Sequence, residues 1–160
     1  PHFVDVGRAD AGAHGRRAIA EGFELAYRRA RRAYGRARSD DDAVIFHEWR
    51  KAVKRLRYQV QLLGDAASSL LGAMEPLLDR LGRELGDLHD VAFLAEAVVE
   101  TGAARALAAE RERWLTHLES RAQTLRVQTR ALGATLFADR PSAVGRRVST
   151  SWKRWRTSKD

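Results

Sequence analysis

Apolar residues recur along this chain at three- and four-residue steps, and no segment alternates with period two. That spacing predicts helices and no strand. The first helix is expected over about 13–37, with Ile19, Phe23, Ala26, Ala30, Tyr34 and Ala37 as its apolar stripe. Ser39-Asp40-Asp41-Asp42 interrupts it; these side chains suit the cap of a following helix, and their charge suits its positive N-terminal end. A second helix follows over about 42–63 and stops at Gly64. The third, about 67–100, carries Leu70, Leu71, Met74, Leu77, Leu78, Leu81, Leu85, Leu88 and Leu94, with Pro76 expected to kink it or mark a restart, and Thr101-Gly102 as a C-cap turn. The fourth, about 103–137, repeats Leu107, Trp114, Leu118, Leu125, Leu132 and Leu136 and is broken by Asp139-Arg140-Pro141. A short fifth helix, about 142–156, has Val144, Val148, Trp152 and Trp155 on one side. Four long amphipathic helices with short connections predict an all-α fold: an antiparallel four-helix bundle with a short extra C-terminal helix. The bundle would span 13–156, with 1–12 an N-terminal extension and 157–160 a tail; Trp49 and Trp114 read as core.

The second helix separates its two faces most sharply. At 100° per residue, Phe46, Trp49, Val53, Leu56, Val60 and Leu63 fall on one side. His47, Arg50, Lys51, Lys54, Tyr58 and Gln61 fall on the other, with Arg57 at the edge. A solvated helix face usually mixes signs, because Glu–Lys pairs at i,i+4 stabilise it. Here Glu48 is the one acid between His47 and Tyr58, against Arg50, Lys51, Lys54, Arg55 and Arg57. That repulsion is relieved by an anion.

Composition sharpens this picture. A chain of 160 residues with 44% hydrophobic residues supports one domain with one core. The net charge of +8 is uneven: residues 1–63 carry a surplus of 6 cations, 64–140 a deficit of 3, and 141–160 a surplus of 5. Arg supplies 25 of the 29 cations, and its planar fork matches phosphate oxygens. There is no Cys, so neither a disulfide framework nor a thiolate metal site, which fits a reducing, cytoplasmic setting. No apolar run is long enough to span a bilayer, and no signal peptide is visible. A chain opening on Pro1 instead of Met reads as a piece of a longer or processed protein.

The segment His47-Glu48-Trp49-Arg50-Lys51-Ala52-Val53-Lys54-Arg55-Leu56-Arg57-Tyr58 resembles the signature helix of the conserved histidine α-helical domain, CHAD, of the form H-x-x-R-K-x-x-K-x-x-R-Y, with every position filled. An Arg-rich helix before it (Arg28-Arg29-Ala30-Arg31-Arg32), a Leu85-Gly86-Asp87-Leu88-His89-Asp90 segment after it and a Pro-led, Trp-containing close at 141–155 extend the likeness to roughly 16–156. The resemblance implies a helical bundle that binds inorganic polyphosphate through a basic surface, without catalysis. Such domains usually hold two bundles, each with its own His-bearing basic helix, lining one groove. One signature stands here, as in the C-terminal half, so the expected partners include an absent N-terminal half or a second copy.

The candidate polyphosphate-binding residues are His47, Arg50, Lys51, Lys54, Arg57 and Tyr58, with Arg28 and Arg32 flanking the same groove if the first two helices pack together. A helix offers a side chain about every 5.4 Å along one face, a row that meets a regular polyanion without reading a base. Each residue has a plainer alternative. His47 could instead bond the acidic 39–42 turn, Tyr58 could pack at a helix seam, and an Arg-rich face is often just solvated. Asp87, His89 and Asp90 match no standard metal spacing; the two acids are expected to pair with the basic helices, and Gly86 to let two helices approach closely. No nucleophile elbow, Gly-rich phosphate loop, cofactor or metal motif appears, so no catalytic residue is assigned. The leading expectation is a non-enzymatic polyphosphate-binding module that targets or scaffolds at polyphosphate granules. The alternative is a nonspecific nucleic-acid binder, which the basic charge permits but the inward-facing Trp49 does not favour.

Overall fold

The computed structural model describes residues 3–64, 68–100 and 108–158, with side chains described over 15–64, 71–100 and 108–158. Five helices follow one another: α1 (Phe3–Ala37), α2 (Ala43–Leu63), α3 (Ser68–Glu100), α4 (Ala108–Leu136) and α5 (Pro141–Thr157). Among the described residues there is no strand. α1 packs on α2, α2 on α3 and α3 on α4, while α5 lies against α1 and touches α3. The result is the expected helical bundle with an added C-terminal helix.

The boundaries follow local chemistry. Asp42 caps α2, its carboxylate accepting from the Val44 amide at 2.8 Å, and Gly64 closes it at φ +38°, a conformation that costs a side-chain-bearing residue strain. α1 begins about ten residues earlier than periodicity suggests; between Phe3 and Gly12 there is no Pro, and Gly7 and Gly12 lower helix propensity by only about 1 kcal/mol each without ending the helix. α3 runs through Pro76 without restarting. The carbonyl that Pro76 leaves without a donor belongs to Gly72, which is exposed and can be served by water. The proposed Thr101-Gly102 cap and Leu107 lie outside the described residues, and the side chain of Leu70 outside the described side chains.

All six apolar positions of α2 are buried: Phe46, Trp49, Val53, Leu56, Val60 and Leu63. They meet Phe23, Tyr27 and Ala30 of α1 and Leu78, Leu81 and Leu85 of α3 in one core. Gly133 of α4 makes the tightest approach. A Cβ there would lie 2.5 Å from the Tyr34 ring and 2.9 Å from Trp49. The glycine expected in this role, Gly86, has only ordinary contact, with the Arg50 guanidinium. Helix α1 is also hydrogen-bonded to the end of α4: the Tyr27 hydroxyl donates to the Leu136 carbonyl at 2.9 Å and Arg31 Nε to the Phe137 carbonyl at 3.0 Å.

Two expectations about the core are corrected. Trp114 is 60% exposed and Leu94 is 51% exposed. Trp114 keeps the apolar period of α4, but α3 and α4 run on past the N-terminal end of α2, where no described helix covers it; Leu94 falls opposite the buried line of Leu78, Leu81 and Leu85 and so faces outward.

Candidate anion-binding site

With its apolar side committed to the core, α2 turns its basic side outward between α1 and α3. Lys51, Lys54, Arg55 and Tyr58 are exposed. Lys51 makes one bond on its own helix, to Glu48 at 2.5 Å. Both partners are more than two-fifths exposed, so this pair is weak and a stronger anion can displace it. Lys51 and the neighbouring cations hold the Glu48 carboxyl below the usual carboxylate range, the Lys51 hydrogen bond being the main cause. Lys54 lies 5.9 Å over the Tyr58 ring. Tyr58 itself is 56% exposed, so it does not pack at a seam.

Arg50, Arg57 and His47 are only part-exposed and lean toward α3. Arg57 is tied across the seam to Asp79 at 2.7 Å. The Arg50 guanidinium passes over Gly86. His47 stands against His89 of α3, ring centroids 5.2 Å apart, and its Nδ1 is buried without a hydrogen-bond partner among the described residues. It does not bond the acidic turn. Asp41 of that turn faces α4 instead, bonding Arg130 at 2.5 Å. The expected pairing of Asp87 and Asp90 with the basic helices is also corrected. Asp87 points to Arg121 of α4 at 3.9 Å, and Asp79, which the sequence did not single out, is the acid that holds the basic helix. The described residues contain no group of three His, Asp or Glu placed to hold a metal.

On α1, residues 25–37 carry Arg28, Arg29, Arg31, Arg32 and Arg36 and no acid. Helix periodicity divides them. Arg36 lies near enough to Glu48 to help lower its pKa, which marks the α2 side; Arg29 shares it. Arg28 instead bonds Glu24, whose side chain lies on Gly145 of α5. Arg32 is exposed on the outer back of the helix. The surface thus brings together Lys51, Lys54, Arg55 and Tyr58 of α2 with Arg36 and Arg29 of α1, and leaves Arg28 turned toward α5. Arg29, Arg36 and Arg55 are the members that sequence reasoning passed over; once α1 and α2 are known to be antiparallel neighbours, the helix wheel finds them.

A CHAD domain family model matches residues 3–99, more than half of the chain. The chain belongs to the CHAD domain family. The matched CHAD segment holds α1, α2 and α3, and therefore the whole basic surface just described. No curated protein and no solved structure matches. No helix among the described residues is long and apolar enough to cross a membrane.

Proposed function

We propose that this chain is a binding module for inorganic polyphosphate, acting without catalysis to target or scaffold at polyphosphate-rich bodies. The observation that carries the reading is the division of α2: its apolar side is wholly buried, and Lys51, Lys54, Arg55 and Tyr58 remain outside beside Arg29 and Arg36 of α1. Long-chain polyphosphate carries charge at regular intervals, and cations at helical spacing neutralise it without reading sequence. Arg57 and Arg50 contribute from the α3 edge, and His47 from the head of the row. Membership in the CHAD family supports the same ligand class.

Nucleic acid is the second reading, and Tyr58 favours it to a degree, because an exposed phenol beside Lys54 offers a stacking surface. One aromatic ring gives little stacking along a strand, so polyphosphate remains first. The test is a competition at fixed ionic strength between long-chain polyphosphate and single- and double-stranded nucleic acid of matched charge. Tighter binding of polyphosphate, falling steeply with salt, is expected; equal or tighter binding of nucleic acid overturns the reading. Lys51→Glu with Lys54→Glu is expected to weaken polyphosphate binding by more than about tenfold while helicity is kept. Normal binding by that variant would move the site to the remainder of α1 or to α5.

A single bundle presents one basic wall, so a long polyanion is expected to bridge several chains. Sedimentation with and without long polyphosphate reads this directly: ligand-driven assemblies are expected, and a one-to-one monomeric complex would show that one wall suffices.

A further inference from the structure

Helices α3 and α4 leave the bundle together. The pairs Arg57–Asp79, Arg50–Gly86 and His47–His89 set α2 antiparallel to α3, so α2 begins near the level of residue 93. Residues 94–100 of α3 continue about 10 Å further at 1.5 Å per residue. The first turns of α4 accompany them. Apolar periodicity does not stop where α2 does. Val99 continues the line of Leu88, Ala92 and Ala95, and Trp114 continues that of Leu118 and Leu125. Val99 is 52% exposed and Trp114 60% exposed, and where α2 begins a cavity of about 380 Å³ opens between it, α3 and α4, lined by Ala92, Ala95, Leu115 and Leu118 and on the α2 side by Phe46 and His47.

The margins of this groove are acidic, while Arg111, four residues before Leu115, sets one cation at the outer end of its floor. From Asp87 to Glu100 α3 holds four acids and no Lys or Arg. Helix periodicity sets Glu96 and Glu100 on the side of α3 that faces α2, the side marked by His89, and sets Glu112 and Glu119 on the side of α4 marked by Arg126 and Arg130. Glu119 bonds Arg126 at 2.8 Å, whereas Glu96, Glu100 and Glu112 have no ion pair with any described residue.

We propose that the α3–α4 tip is a docking groove for an amphipathic helix of a partner, one with an apolar stripe flanked by Lys or Arg. The apolar floor lies between two parallel margins and continues the line that α2 leaves, which is the shape that accepts a helix. The margins select cations by charge complementarity. They also disfavour a second copy docked tip to tip, because that would bring Glu96, Glu100 and Glu112 of both copies together. The groove lies beyond the N-terminal end of α2, so Lys51, Lys54 and Tyr58 stay open to a polyanion while it is occupied, and His47, which lines the cavity, is where the two surfaces meet.

The probe is a labelled peptide of residues 141–158 of this chain, which is amphipathic and basic, followed by fluorescence anisotropy. Its control is the same peptide with every Lys and Arg replaced by Glu. The basic peptide is expected to bind saturably and more weakly as salt rises, and the acidic one not to bind. Glu96→Lys with Glu100→Lys, and separately Val99→Glu with Trp114→Glu, are expected to weaken binding by about tenfold or more. All four positions are exposed, so helicity should be unchanged in both variants, and polyphosphate binding should be kept. The proposal is overturned by absence of saturable binding, by equal binding of the acidic peptide, or by indifference to both variants. A ligand-free dimer in sedimentation that Val99→Glu with Trp114→Glu dissolves would give the groove to a second copy and overturn it as well.

Discussion

Phe46, Trp49, Val53, Leu56, Val60 and Leu63 face inward on α2, and Lys51, Lys54, Arg55 and Tyr58 face outward. The inward set is fixed by burial, where every methylene meets neighbours and any change in volume is felt. The outward set holds Lys51, Lys54 and Arg55, whose contacts, such as the exposed Lys51–Glu48 pair, add little to stability. A single helix therefore separates, by side, the residues that hold the fold from those proposed to meet the ligand. Arg57 lies between the two, solvated on one flank and bonded to Asp79 on the other.

The largest effect should come from Trp49, which has no exposed surface. Trp49→Ala is expected to destabilise by about 3–5 kcal/mol, read as a lower denaturant midpoint, with polyphosphate affinity of the folded protein unchanged. A loss of affinity without loss of stability would break the division of the two faces. Next is Gly133→Ala, where the added carbon collides with the Tyr34 ring and with Trp49. It should cost about 1–3 kcal/mol, by the same denaturation measurement. Arg57→Gln sharpens the comparison, since it removes a partly exposed bond to Asp79. A loss of about 0.5–1 kcal/mol is expected, with a smaller fall in polyphosphate affinity than Lys54→Gln produces, as isothermal titration would report. The smallest stability change belongs to Lys51→Glu with Lys54→Glu, within about 0.5 kcal/mol, although this variant should show the greatest loss of binding.

Features governed by local rules were legible in the sequence. The six-residue stripe of α2, its Asp42 cap and its Gly64 stop depend on periodicity and backbone chemistry within a few residues. Trp114 shows where that reasoning ends. Trp49 and Trp114 carry the same periodic signal, yet one has no exposed surface and the other is 60% exposed, because burial depends on where neighbouring helices stop. Gly86 and Gly133 make the same point: a small residue matters only if something bulky faces it. Within the site, the helix wheel separated inner from outer residues but not the middle ones. Arg57 is tethered and Tyr58 is free because α3 crosses on one side of α2. Tyr27 was missed as core, and its hydroxyl finds its partner in a carbonyl 109 residues later.

That last bond has a consequence for the order in which the chain acquires its shape on the ribosome. Helices α1 and α2 are joined by a short turn and can pair as soon as both have emerged. The Leu136 carbonyl that Tyr27 requires appears only 109 residues later, about 5–20 s at the usual pace of synthesis. For that interval the nascent hairpin shows its basic row to the outside while its phenol, and the apolar stripe around it, wait uncovered. The row proposed to bind polyanions is thus assembled well before the core that will hold it is closed.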